Sequence, residues 1–105
     1  MPPANLYLDD VRDTPDGWMR AYTAPEAIAL LAAGGIDGIS LDHDLGDASA
    51  GTGYDVAVWI EEQAALGKLS PIRWSIHSAN PVGRARMEAA LRSAERFWRA
   101  TTPLE

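Results

Sequence analysis

The sequence predicts an α/β fold built on a parallel sheet, and three observations lead to this class. Short apolar runs alternate along the chain with amphipathic segments of helix length, a pattern typical of a parallel sheet with helices on both faces. The chain has 105 residues, which is enough for one modest core. Its hydrophobic fraction of 47% and its charged fraction of 23% are ordinary for a globular protein. We therefore expect residues 1–105 to form a single domain.

Four apolar runs predict the strands of the sheet. In the last of them, Ile72–His77, apolar and polar residues alternate strictly, which predicts a strand with one buried and one polar side. The segment DVRDTPDG, between the first and second runs, is polar and rich in turn-forming residues, so it predicts a loop. The four runs are Asn5–Asp9, Trp18–Tyr22, Ile36–Leu41 and Ile72–His77.

Two helices are predicted between the second and fourth runs. The first begins at Thr23, because TAPE has the form of a capping box with a proline in the first turn, and it ends at Gly34. The second covers Gly53–Leu66 and is closed by Gly67. The segment DLGDASAGT, which precedes the second helix, predicts a loop.

A third helix is predicted to start at Asn80 and Pro81. Apolar residues repeat at helical spacing from Met87 to Ala94, so this helix should have one buried stripe. The final segment, Arg96–Thr101, either continues the helix or forms a fifth strand at the edge of the sheet. Of these two, we favour the strand.

Composition and charge exclude several classes of function. The chain has no cysteine, so it holds no disulfide, thiolate zinc site or thiol nucleophile. No apolar run reaches the roughly 20 residues of a spanning helix, and the N-terminus does not resemble a signal peptide. We therefore expect a cytoplasmic protein with no membrane partner. The net charge of −6 argues against binding duplex DNA, while a small phosphate ligand, an RNA end or a protein partner stays open.

Polar clusters follow three of the four predicted strands. Asp9 and Asp10 end the first, with Arg12 two residues further on, and the central strand ends in SLDHDLG, which contains Asp42, His43 and Asp44. The fourth ends in HSAN, which contains His77, Ser78 and Asn80. Ligands of parallel sheets bind at the carboxyl ends of the strands, so the three clusters predict one site that includes both histidines of the chain. The alternative is that these are ordinary polar strand ends.

The crowded carboxylates predict a metal site. Neighbouring carboxylates repel one another unless they are protonated or bridged by a cation. Asp9, Asp10 and Asp42 offer hard oxygen ligands, which suit Mg²⁺ or Mn²⁺ and a phosphate substrate. Alternatively, one of the three is a solvated loop residue or a helix cap.

The segment NPVGR predicts an anion site at the start of the third helix. A helix N-terminus presents free N–H groups and the positive end of the helix dipole. Gly83 would allow a ligand to approach closely, and Arg84 would add a bidentate donor. The alternative is an ordinary asparagine cap, Asn80, followed by a surface arginine.

The two histidines are candidates for acid–base catalysis, because imidazole titrates near neutrality. His77 ranks first, since the alternation of its strand directs it with the polar set. His43 lies between two aspartates and can face away from them. The common alternative is that each ring only hydrogen-bonds its neighbours.

The chain resembles receiver domains of two-component signalling. Asp9 and Asp10 resemble the receiver's acidic pair, Asp42 resembles its phosphoacceptor, and Ser78 with the following alanine resembles its switch residue. The resemblance implies a receiver-like (flavodoxin-like) three-layer sandwich with four to five parallel strands in the order 2-1-3-4-5. Two features depart from the pattern: a loop replaces the first receiver helix, and no lysine follows a fifth strand.

The motifs LYLDDVR, SLDHDLG, GTGYD and IHSANPVGRARM are closer to a divergent receiver family named for processing cyclic phosphates. This resemblance implies a hydrolase of the cyclic phosphodiesterase type, acting on RNA ends with a 2′,3′-cyclic phosphate or on cyclic nucleotides, in RNA repair. The alternative is a non-catalytic module that binds a nucleotide or a protein. The implied catalytic residues are His77, His43 and Asp42, the metal ligands are Asp9, Asp10 and Asp42, and the phosphate-binding residues are Arg12, Asp44, Ser78, Asn80 and Arg84.

Overall fold

Four parallel strands form the sheet in the computed structural model, which describes residues 4–101. The order is β2-β1-β3-β4, and every neighbouring pair is parallel. The predicted α/β class and the predicted order of the first four strands are therefore confirmed. The strands are β1 (Ala4–Leu8), β2 (Met19–Ala21), β3 (Ile36–Leu41) and β4 (Arg73–Ile76).

Three helices follow the strands at the predicted places, namely α1 (Ala24–Ala33), α2 (Gly53–Ala65) and α3 (Pro81–Thr101). Side chains cap the first turns of α1 and α2, because the hydroxyl of Thr23 accepts from the amide of Glu26 and Thr52 forms a capping box with Asp55. The connection from β1 to β2 contains no helix, as predicted. The loop before α2 contains one short 3₁₀ turn.

All three helices pack on one face of the sheet. One hydrophobic cluster joins α1, α2 and α3 to the strand residues Leu6, Leu8, Ile39 and Leu41, and α2 contacts both other helices. The second helical layer of the predicted three-layer sandwich is not found among residues 4–101.

The handedness of the connections explains this difference. Crossovers between parallel strands are right-handed, so strand steps in the same direction place their helices on the same face. Across the sheet, the chain moves in one direction from β2 to β3 and from β3 to β4. It moves in the opposite direction only from β1 to β2. Because that step is a loop, no crossover helix covers the second face.

The second face of the sheet, here called the loop-side face, is lined by polar residues. Tyr7, Ser40 and Ser75 are register partners on three neighbouring strands, so their side chains lie on this same face. The same alternation gives the other residues on this face. Asn5, Gly38 and Arg73 lie within the strands, and Asp9, Asp42 and His77 directly follow them.

Arg20 holds the β1–β2 loop close to this face. Its guanidinium donates to the carbonyl of Asp9 (2.9 Å), to the carbonyl of Arg12 and to the hydroxyl of Thr14 (2.7 Å). The ring of Trp18 packs edge-on against Tyr7, with 6.2 Å between the centroids. The loop is thus a fixed part of the domain.

The predicted fifth strand over Arg96–Thr101 is wrong, because these residues continue α3. The buried stripe of α3 runs on from Ala94 to Trp98, four residues later, and no glycine or proline interrupts the helix after Arg84. The indole of Trp98 donates to the carbonyl of Leu69 (2.8 Å), which fixes the last turns against the β4 end of the domain.

Among residues 4–101, no helix is long and apolar enough to span a bilayer.

The helical end of α3 can be tested with two neighbouring aromatic residues. Trp98 is 7% exposed and Phe97 is 40% exposed. Trp98→Ala should lower the free energy of unfolding by about 3–5 kcal/mol, because it leaves a cavity in the core. Phe97→Ala should lower it by less than about 1 kcal/mol. Urea unfolding measures both, and equal losses would contradict the helical packing of this segment.

Candidate active site

The ends of β1, β3 and β4 place the three predicted clusters side by side. The residue that follows each strand extends the ladder by one backbone hydrogen bond. The amide of Asp42 donates to the carbonyl of Leu8 and that of His77 to the carbonyl of Leu41, both at 3.0 Å. Since Asp9 follows Leu8, the side chains of Asp9, Asp42 and His77 come together at one edge of the loop-side face.

Asp9 is fully buried, and four donors saturate its carboxylate. Oδ1 accepts from the amides of Val11 (2.8 Å) and Arg12 (2.9 Å). Oδ2 accepts from Nη1 of Arg12 (2.8 Å) and from Nε2 of His77 (3.0 Å). Burial raises the pKa of Asp9, but the donors of Arg12, Val11 and His77 outweigh it and hold the pKa well below its usual range. Asp9 is therefore a fixed negative charge.

Arg12 bridges two of the carboxylates. Its Nη1 lies 2.8 Å from Oδ2 of Asp9 and 3.3 Å from Oδ2 of Asp42. The side chain is 43% exposed, and its other guanidinium nitrogens have no hydrogen-bond partner among residues 4–101. Arg12 thus neutralises part of the acidic cluster and presents free donors to solvent.

The acidic cluster brings three carboxylates close together. Asp9, Asp10 and Asp42 each bring a carboxylate oxygen to within 4.8 Å of the other two. The lone pairs of Asp9 are already used by its four donors, whereas Asp10 accepts no hydrogen bond within the described part of the chain. This set of hard oxygen donors fits Mg²⁺ or Mn²⁺, with Asp10 and Asp42 as direct ligands. Asp9 would join them only if Arg12 moved away.

Both ring nitrogens of His77 are engaged within the protein. Nε2 contacts Asp9, and Nδ1 lies 2.7 Å from Oγ of Ser40. The ring of Tyr7 stacks on the imidazole, with 4.4 Å between centroids and 4° between the planes. The predicted placement of His77 on the polar side of its strand is therefore correct, but its nitrogens are not free.

His43 contacts the helices on the other side of the sheet. Its ring packs on Gly83 in the first turn of α3, where any Cβ would overlap the imidazole. Nδ1 lies 3.0 Å from Oδ1 of Asp44, and this contact with His43 lowers the pKa of the Asp44 carboxyl. Nε2 has no hydrogen-bond partner among residues 4–101, and the side chain is 18% exposed. The two histidines therefore do not face each other.

Several donors at the start of α3 are used within the fold. Oδ1 of Asn80 accepts from the amide of Gly83 (3.0 Å), and the hydroxyl of Ser78 accepts from the amide of Asn80 (3.1 Å). The guanidinium of Arg84 donates to the carbonyl of Ile76 (2.8 Å). These contacts match the cap that the sequence left open as the alternative. Phosphate binding by Ser78, Asn80 and Arg84 stays a prediction.

Ser40 and Tyr7 contact the site but are not predicted by the pattern of polar strand ends. Both lie inside strands and not at their ends. The available signal was the alternation of β3, because Ser40 shares the face of Asp42 two residues later.

Two adjacent aspartates provide a test of the site's construction. Asp9→Asn should lower the free energy of unfolding by about 3–5 kcal/mol, since it breaks a buried charge network. Asp10→Asn should change it by less than about 0.5 kcal/mol, because Asp10 is only half-buried and accepts no hydrogen bond within residues 4–101. Denaturant unfolding at pH 7 in a chelator measures both. Similar losses would contradict the role of Asp9.

The stability gap between wild type and Asp9→Asn should narrow in acid. A carboxyl with a depressed folded pKa stabilises the protein fully above its unfolded pKa, about 3.9, and loses this contribution as the pH falls further. The asparagine at position 9 does not titrate. The free energies of unfolding of wild type and Asp9→Asn, measured between about pH 7 and pH 2.5, should therefore come closer together as the pH falls.

Comparison with known proteins gives one result. Residues 4–93 match the family described as the cyclic-phosphate processing receiver domain. No curated protein and no solved structure matches the chain. The match covers most of the 105 residues, including the acidic cluster, both histidines and the first half of α3. The chain belongs to the cyclic-phosphate processing receiver domain family.

Proposed function

We propose that this protein is a hydrolase that opens cyclic phosphate esters, either cyclic nucleotides or the 2′,3′-cyclic phosphate ends of RNA. One observation carries the proposal: Asp42, Arg12 and Asp10 meet at a partly exposed strand edge. His77 contacts Asp9 on the same face, and His43 is tied to Asp42 through its backbone amide. Membership of a family named for cyclic phosphates supports the substrate class. In the reaction, water forms a new P–O bond and one ester P–O bond breaks, which leaves a phosphate monoester.

Arg12 is the residue best placed to bind the phosphate. Its free guanidinium nitrogens face solvent beside Asp42, so they can donate to the non-bridging oxygens. Arg12 is itself held by Asp9, and its backbone is held by Arg20. A pre-positioned cation of this kind stabilises the charge that develops on phosphorus oxygens.

We further propose Mg²⁺ or Mn²⁺ as the cofactor, held directly by Asp10 and Asp42. When bound, the ion would supply positive charge to the phosphate oxygens and lower the pKa of a coordinated water. Asp9 contributes through Arg12 and His77, because its own lone pairs are occupied.

The geometry supports His43 over His77 as the general acid–base. Nδ1 of His43 is oriented by Asp44, which leaves Nε2 free to take a proton from water and return it to the leaving alkoxide. The backbone amide of His43 donates to Oδ1 of Asp42 (2.9 Å), which ties the two residues together. His77, with both nitrogens engaged, has a positioning role towards Asp9.

The same engagement of His77 and Asp9 also favours a second function, a module that binds a nucleotide without turnover. A network whose donors and acceptors are all satisfied inside the protein can be purely structural. The activity test below separates the two functions.

The metal can be tested without turnover. Asp42→Asn should weaken Mn²⁺ binding by ~10-fold or more, since it removes an anionic ligand. Asp37→Asn is a control of equal charge change, because Asp37 is exposed near the opposite end of β3. Isothermal titration measures both affinities. Equal affinities in the two variants would remove Asp42 from the metal site.

Activity can be tested on a panel of cyclic mononucleotides and cyclic-phosphate RNA ends, with and without Mg²⁺. His43→Ala should lower kcat by about 10²-fold or more, the usual range for a lost general acid or base. Asp44→Asn should also lower kcat with the fold intact, because it releases the imidazole. Tight binding of a cyclic phosphate with no product from any substrate would overturn the hydrolase and establish the binding module.

A further inference from the structure

A chain of hydrogen bonds crosses the loop-side face below the proposed site. It runs from Oγ of Ser40 to Nδ1 of His77 (2.7 Å), and from Nε2 of His77 to Oδ2 of Asp9 (3.0 Å). Ser40 and Asp9 are buried, and Ser40 lies in the interior of β3. No other hydrogen bond to the His77 ring is found in the described part of the chain.

The charge of Asp9 sets the direction of this chain. An ionised carboxylate only accepts hydrogen bonds, so Nε2 of His77 must carry a hydrogen. In the neutral ring, Nδ1 is then an acceptor, and the hydroxyl of Ser40 must be its donor. Asp9 therefore specifies the tautomer, and the hydroxyl of Ser40 donates to the nitrogen that this tautomer leaves without a hydrogen.

Tyr7 completes the restraint on the ring. Its stacking on the imidazole fixes the ring plane, while the two hydrogen bonds fix rotation within that plane. The ring can then keep its N–H aimed at Oδ2 of Asp9, the same oxygen to which Arg12 donates.

We propose that Ser40 is a positioning residue of the active site, which locks His77 so that His77 and Arg12 together hold the Asp9 carboxylate. The proposal deepens the proposed function and rests on it for its effect on the metal and phosphate site. The lock itself exists in the protein without metal or substrate. Ser40 acts as an outer partner of the acidic cluster, two contacts away from it.

The chain offers a matched control. Ser75 is the register partner of Ser40 on β4 and lies on the same face, but it is exposed. It has no side-chain hydrogen bond among residues 4–101. Ser40→Ala and Ser75→Ala therefore delete the same atom from neighbouring positions, and only the first removes the donor to His77.

The first measurement is the ¹⁵N and ¹H NMR signals of the His77 imidazole in metal-free protein, at a pH where the ring is neutral. Wild type should show a hydrogen on Nε2 that exchanges slowly with solvent. Ser40→Ala should shift the Nδ1 signal and speed exchange of that hydrogen about tenfold or more. Ser75→Ala should leave both unchanged, and Ser40→Thr, which keeps the hydroxyl, should restore them.

The second measurement is Mn²⁺ affinity by titration calorimetry. Ser40→Ala should weaken binding by less than about 10-fold, the lower limit for a lost direct partner of a ligand, because Ser40 acts through His77 and Asp9, and Ser75→Ala should not weaken it. If Ser40→Ala fails to fold, Ser40→Cys keeps the size of the side chain and loses the strong donor, so it should give the same changes.

Unchanged His77 signals in Ser40→Ala or Ser40→Cys would overturn the proposal, as would equal shifts in Ser75→Ala. Shifted signals with wild-type Mn²⁺ affinity would also overturn it, because the lock would then not reach the site. The NMR result needs neither metal nor substrate. A protein that opens no cyclic phosphate but shows the shifts would therefore lose the proposed hydrolase activity and keep the lock.

Discussion

The buried carboxylate of Asp9 is the interaction on which the rest of the site depends. A charge removed from water is costly unless donors replace its hydration, and here two backbone amides, a guanidinium and an imidazole do so. These donors come from the β1–β2 loop and from the end of β4. One side chain therefore ties the loop that replaces a helix to the opposite part of the sheet, and the position of Arg12 follows from it.

The loop also changes where the site obtains its positive charge. Receivers carry a lysine after a fifth strand, whereas in residues 4–101 the sheet ends at β4 and the chain continues as α3. Arg12 lies between Asp9 and Asp42, so the cation comes from the segment after β1. Absence of the first receiver helix leaves this segment free to fold back over the strand ends. Arg12 thus supplies positive charge to the acidic cluster from the loop between β1 and β2.

The two histidines divide between the two sides of the sheet. His77 lies on the loop-side face, where Tyr7, Ser40 and Asp9 contact it from three directions. His43 lies against the first turn of α3, and Gly83 makes that approach possible. A saturated imidazole is suited to holding another group, and one with a free nitrogen is suited to moving a proton. The two rings therefore differ in their partners, and this difference supports the different roles proposed for them.

The order of the four parallel strands was predicted by the resemblance to receivers. Local patterns predicted the α/β class, the caps of α1 and α3, and the convergence of Asp9, Asp42 and His77. These features depend on local patterns: alternation within a strand, capping residues, and the rule that parallel strands end at one edge. The tertiary contacts were needed to show that the helices share one face, that Arg96–Thr101 stays helical, and that Ser40 joins the site. Arg12 was already a candidate from the sequence, and the structure adds that it bridges Asp9 and Asp42. Those outcomes depend on contacts between residues far apart in the chain or on the path of a loop, and local periodicity carries no information about either.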